Sequence, residues 1–250
     1  MEILVGFLIV ISLFSSFLPA RQASKDEIVL AADATGGTQV SFHQGIKPLK
    51  EFTDAYLVKQ GYDYSCGSAA LATLLNFYLG EDLSEKQVIR GLFKYGDREQ
   101  IFRRRAFSLL DMKHYVGVLG YKGVGYKASI DDLKTFDMPC IIPVKVFGYE
   151  HFVVFKGIWD GHIFFADPWM GNISFTLKKF KDIWYKNVAF VVYPKDGKVL
   201  DALMLKEDDL RIVGFDMQRK EISGYIPPLG ITDEYKLYEE VTGKGQFYKR

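Results

Sequence analysis

An α+β fold, with amino-terminal helices packed on a carboxy-terminal antiparallel sheet, follows from the order of the patterns in the sequence. From Cys66 to about Phe136 the chain is rich in helix formers, with segments opened by a serine that has an acid or amide three residues on. From Pro139 the period changes, and short β-rich runs alternate with turn signals. Strand and helix do not alternate regularly, as a wound parallel sheet would require.

The first element predicted strongly is a helix from Cys66 to about Leu79, in which Ala69, Ala70, Leu71, Ala72, Leu74 and Leu75 are good formers and Gly80 marks the stop. Asp63 and Ser65 are its candidate caps. "SEKQVIRGLF" follows, with Ser84 and Gln87 at capping-box spacing, and "SLLDMKHYVGVLG" and "SIDDLKTF" repeat the signal with an acid at the third position. "GYKGVGYKA" reads as a loop feeding a strand, and the basic "FRRRAF" as a solvated helix or loop face. "CIIPVKVF", "HFVVFKGIW", "HIFFAD", "NISFT" and "VAFVVYP" are then the strands, with "LKKFKDIWY" a helix between the last two.

The chain divides into four parts by composition. Residues 1–20 are a signal peptide or an anchor: the apolar run from Ile3 to Leu18 would extend roughly 24 Å as a helix, short of a ~30 Å hydrocarbon core, which favours a cleaved signal and an exported protein, secreted or periplasmic. Glu2 stands where a basic segment belongs, so an uncleaved segment and membrane association stay open. Residues 21–50 form a lead-in arm, 51–194 the main domain, and 195–250 a more charged extension. With 32 basic and 31 acidic side chains, net charge +1, no global field recruits nucleic acid. The two cysteines, Cys66 and Cys140, allow a disulfide in an exported chain, although "MPCIIPVKVF" suits Cys140 to a buried thiol.

The chemistry centres on Cys66. At a helix amino terminus, free N–H groups and the macrodipole favour a thiolate. Of the four histidines, His151 opens a predicted central strand and is the candidate base; Asp167, ending the next strand, is the candidate orienting group. A three-residue hairpin loop, Trp159 to Gly161, pairs Ile158 with His162, sets Asp167 across from Val153, and puts both polar groups on one face. Trp169 then falls across from His151. Gln60, six residues before Cys66, is the candidate oxyanion donor beside the Cys66 N–H. Paired metal-ligand spacing is absent around Cys66, His151 and Asp167, so no metal is expected, and no cofactor either.

Together, Gln60 with "DYSCGSAALATLL", "HFVVFKGI" from His151 and "DPW" from Asp167 resemble the papain-like cysteine peptidases that process bacteriocin precursors at double-glycine leaders, family thirty-nine of the cysteine peptidases. The resemblance covers roughly Glu51 to Pro194 and is closer to stand-alone exported members, because no nucleotide-binding G-x-x-x-x-G-K-[ST] run or membrane bundle is present. It implies a papain-like fold, a peptide or protein substrate, cleavage after small residues such as Gly-Gly, and roles for Gln60 in the oxyanion hole, Cys66 as nucleophile, His151 as base and Asp167 as its orienter. Two other uses of the same residues stay open: a module that binds a peptide or pilus-like partner without cutting, and an acyl transferase.

Overall fold

The computed structural model of the chain describes residues 28–30, 40–42, 52–146, 148–210 and 212. The signal or anchor at 1–20 and the chain beyond residue 212 lie outside the described residues. Of the lead-in arm, strands β1 (Ile28–Leu30) and β2 (Val40–Phe42) are described; they pair antiparallel within a compact unit that ends at Pro48.

The second unit begins at Leu49 and carries the expected helices-then-sheet order. Helix α1 (Cys66–Phe77) is apolar on every side, and its residues from Cys66 to Leu75 are all buried, which makes it the central helix of the unit. Burial of each of Leu71, Leu74 and Leu75 contributes about 1.5–3 kcal/mol. Its hydroxyls are satisfied internally: Ser68 Oγ donates to the Ser65 carbonyl at 2.7 Å and Thr73 Oγ1 to that of Ala69 at 2.8 Å. α2 (Glu85–Tyr95), α3 (Arg98–Arg104) and α4 (Leu109–Val118) follow. The Ser84/Gln87 and Ser108/Asp111 capping boxes are both formed, as is that of Ser129 and Asp132 at α5 (Ile130–Lys134).

Six antiparallel strands form the sheet. "GYKGVGYK" is not a loop feeding a strand but itself supplies the edge strand β3 (Lys122–Lys127); it pairs with β8 (Val188–Tyr193) far along the chain, and that partner is what makes it a strand. Between them come β4 (Cys140–Val146), β5 (Tyr149–Trp159), β6 (His162–Asp167), β7 (Gly171–Thr176) and α6 (Leu177–Ile183), giving the order β3-β8-β4-β5-β6-β7. Alternation along the strands feeds two cores. Ile141, Val154, Ala166, Phe190 and Val192 pack with α1, α2 and α4, while Ile142, Val153, Phe155, Phe165 and Val191 pack with α5 and α6.

The β5–β6 hairpin corrects the three-residue loop expected from the sequence. Trp159 pairs with His162, so the loop is Asp160–Gly161 alone, with φ of 44° and 73°. Positive φ at both central residues is the two-residue turn whose twist matches the flanking strands, and Asp-Gly is its preferred sequence. Lys156 then has no partner in the ladder, because Phe155 pairs with Phe165 and Gly157 with Phe164. That one-residue bulge undoes the shortened loop. Beyond it Val154 pairs with Ala166, the last pair of the ladder and the register that the longer loop would have given.

Past Pro194 the chain returns over the domain. The Leu200 N–H donates to the Tyr78 carbonyl at 2.8 Å, Leu203 is fully buried beside α1, and Leu205 packs over Gly157. In α7 (Glu207–Leu210), Asp209 forms an ion pair with the bulged, buried Lys156, and Ser174 Oγ donates to the Ile212 carbonyl at 3.4 Å.

Candidate active site

The segment before α1 is anchored at both of its flanks. Asn172 Nδ2 donates to the carbonyls of Phe52 and Ala55, each at 2.9 Å, and the Val58 N–H donates to Thr73 Oγ1 at 3.0 Å. Lys59 Nζ then reaches the Trp169 carbonyl at 3.2 Å, and the Gln60 N–H reaches that of Pro168 at 2.9 Å. Gln60 is thereby held against the turn that follows Asp167. Its side-chain Oε1 is buried and has no hydrogen-bond partner among the described residues.

From Gln60 the chain turns into the helix through Tyr64, whose φ is 59°. Ser65 occupies the N-cap position but makes no side-chain cap; its Oγ faces the Tyr62 carbonyl at 2.7 Å and Glu85 Oε1 at 2.6 Å. The first N–H groups of α1 are therefore not taken by that hydroxyl, and they lie beside Cys66. A Cβ on Gly67 would stand 2.8 Å from Met112 Cε and 3.2 Å from Phe152 Cδ2, so the start of the helix sits hard against the residue after His151.

His151 and Asp167 meet as the register requires: His151 Nε2 lies 2.9 Å from Asp167 Oδ1. The same carboxylate oxygen accepts the N–H groups of Trp169 at 2.8 Å and Met170 at 3.0 Å. Trp169 is thus in the turn after β6, not across from His151 on the strand, because these two bonds curl the chain around the carboxylate. Burial alone would raise the Asp167 pKa, but the His151 charge and hydrogen bond, with those of the two N–H groups, hold it below the ordinary value. Burial also opposes a charged His151; the charges of Asp167 and Cys66, and hydrogen bonds to both, override it and raise its pKa well above the ordinary value. With Nε2 on Asp167, Nδ1 is the nitrogen left for Cys66.

His43 lies outside the described residues, and neither of the other two histidines joins the His151–Asp167 pair. His114 lies in α4, and His162 Nδ1 bonds the Asp160 carbonyl at 2.9 Å. Cys66 and Cys140 are both free thiols; Cys140 is fully buried in β4, where burial raises its pKa. Among the described residues no group of three or more His, Cys, Asp or Glu is placed to hold a metal ion. Sequence reasoning missed Glu85, which bonds Gly61 and Ser65 on either side of the turn, and Asn172, which fixes the segment leading to Gln60. Glu85 had the appearance of an acid favouring a helix start, and nothing local tied Asn172 to a segment about 120 residues away.

Comparison with known proteins adds an independent line. The model of the Peptidase C39 family matches residues 54–196. The probable functional amyloid protease FapD of Pseudomonas fluorescens is 35% identical over 176 residues, covering 69% of this chain and 76% of that protein. Its counterpart from Pseudomonas aeruginosa is 35% identical over 150 residues, covering 60% of this chain and 66% of the relative's length. Among solved structures, the peptidase domain of Streptococcus ComA is 22% identical, with 55% of this chain and 97% of that one covered and a TM-score of 0.47. A double glycine motif protease from an AMS/PCAT transporter, in complex with its leader peptide, is 22% identical, with 57% and 93% covered and a TM-score of 0.47. The family match takes in more than half of the 250 residues and every one of Gln60, Cys66, His151 and Asp167, and the chain belongs to the Peptidase C39 family of cysteine peptidases.

Proposed function

We propose that this chain is an exported cysteine peptidase in which Cys66 attacks a peptide carbonyl with His151 as base, Asp167 as its orienter and Gln60 as oxyanion donor. The observation that carries the reading is the position of His151, bonded through Nε2 to a buried Asp167 while its other side faces Cys66. With its proton already passed to His151, the Cys66 thiolate bonds through Sγ to the carbonyl carbon and the carbonyl electron pair moves onto oxygen. The oxyanion is held by the Cys66 N–H and the Gln60 side-chain amide. His151 then gives its proton to the leaving amine, and water activated by His151 releases the thioester.

Cleavage after small residues such as Gly-Gly follows from the family resemblance, as does export, which also agrees with the apolar start of the sequence. The description of the FapD relatives as functional amyloid proteases favours an exported amyloid-forming protein as the natural substrate. The test is a peptide library offered to the wild type and to Cys66→Ala. Wild type should cut beside small residues, and the variant should lose at least about a thousandfold in kcat/KM. Cleavage retained in Cys66→Ala overturns the mechanism, and a preference for bulky residues at the cut overturns the specificity. A non-cleaving peptide binder would retain library peptides uncut, and an acyl transferase would give amide products of added amines in place of acids.

A further inference from the structure

We propose that Glu85 is a positioning residue that ties together the two ends of the Gln60–Cys66 turn and so sets the oxyanion donor against the nucleophile. The inference rests on the peptidase reading and deepens it. Glu85 is the first residue of α2, buried, and reaches back across the turn with both oxygens. Oε2 accepts the Gly61 N–H at 2.8 Å, which belongs to the peptide joining Gln60 to Gly61. Oε1 lies 2.6 Å from the Oγ of Ser65, the residue before Cys66. The first contact fixes the residue after the oxyanion donor, and the second fixes the residue before the nucleophile. Since the Gln60 N–H is already held by Pro168, the Gln60 backbone is pinned on both sides. A Cβ on Gly61 would stand 3.2 Å from Oε2, so a side chain there would push the carboxyl back by a few tenths of an ångström.

The hydrogens available around Ser65 bear on the protonation of Glu85. Ser65 has one hydroxyl hydrogen and two oxygens in range, Tyr62 O at 2.7 Å and Glu85 Oε1 at 2.6 Å. If Glu85 is ionised, the hydroxyl hydrogen points at only one of them, and the Tyr62 carbonyl at 2.7 Å from Oγ keeps only the long 3.4 Å bond from the Ser65 N–H. If Glu85 carries a proton on Oε1, it donates to Ser65 Oγ, Ser65 donates to the Tyr62 carbonyl, and Oε2 still accepts from Gly61. Every group in the chain then has its partner. Burial favours this neutral form by raising the Glu85 pKa, against the opposing hydrogen bonds from Ser65 and Gly61.

An amide copies a neutral acid here, because Gln at this position can accept from Gly61 and donate to Ser65 Oγ. The test compares wild type, Glu85→Ala and Glu85→Gln with two probes. A peptide aldehyde ending in a glycine aldehyde forms a hemithioacetal whose oxygen needs the oxyanion donors; chloroacetamide alkylates Cys66 without using them. Glu85→Ala should weaken aldehyde binding at least about tenfold and change the alkylation rate by less than about threefold, with kcat falling more than KM rises. Glu85→Gln should restore most of the loss. Unchanged aldehyde binding in Glu85→Ala overturns the positioning role, and a Gln variant as weak as Ala overturns the neutral acid. If Glu85→Ala does not fold, Ser65→Ala, which removes the middle link alone, should show the same split between probes, and its absence counts equally against the proposal. A wild type that forms no aldehyde adduct at Cys66 overturns the peptidase reading itself.

Discussion

Asp167 holds one oxygen for three donors, and this fixes both the ring it orients and the turn that anchors Gln60. Asp167→Asn keeps an acceptor for the N–H groups but removes the charge that raises His151. The His151 pKa should fall, as read from its imidazole NMR titration, and kcat should drop at least about a hundredfold; a titration that does not move contradicts the account. The pair also predicts a pH window for stability. The contribution of a depressed Asp167 is present above its ordinary value and lost as pH falls through the lowered one, and that of a raised His151 is present below its ordinary value and lost as pH rises through the raised one. Both are full between about pH 4 and 6.5. The difference in unfolding free energy between wild type and Asp167→Asn should therefore be largest in that interval and shrink above it, whereas a difference flat into the alkaline range would contradict the pair. Cys66, His151 and Asp167 stood out as candidates because each bears a local signal, a helix start, a strand start and a strand end, and the structure places them at or near those points. Glu85 was not, since its partners lie 20 and 24 residues back and only folding brings them to it.

Strand β5 is where an element decides the site. The loop is one residue shorter than the sequence suggested, and the bulge at Lys156 is the compensating insertion, so Asp167 still comes within 2.9 Å of His151. Asp160–Gly161 is itself the sequence signature of the two-residue turn. A bulge has no comparable sequence signature, and this one is held by tertiary contacts, with Lys156 buried against Asp209. Burial pushes the Lys156 pKa down, and Asp209 opposes that shift. Asp209→Ala should leave an unpaired buried cation and cost about 3 kcal/mol in urea unfolding, while Lys156→Met with Asp209→Leu should recover most of it. A loss under about 1 kcal/mol for Asp209→Ala would mean the pair behaves as an exposed one. The capping boxes, by contrast, were readable in full because all their groups lie within four residues.

At the scale of the whole molecule, two cores on opposite sheet faces share the strands that carry His151 and Asp167, and the chain after Pro194 completes one of them with Leu203. The sequence showed that stretch only as charged and irregular, because its apolar residues have no period of their own. A chain ending at Asp196, where the family match stops, keeps Gln60, Cys66, His151 and Asp167 but loses Leu203, Leu205 and the Asp209 partner of Lys156. It should melt well below the full chain, by the equivalent of at least about 3 kcal/mol, and equal melting temperatures would show that the return segment adds nothing. The central claim, that His151 activates Cys66 as the nucleophile, is tested most directly by mapping where a peptide vinyl sulfone attaches at neutral pH in the wild type and in His151→Ala. The account predicts a single adduct on Cys66, none on the fully buried Cys140, and a rate at least about a hundredfold lower without His151. An adduct on Cys140, or labelling of Cys66 at the same rate in both proteins, would contradict it.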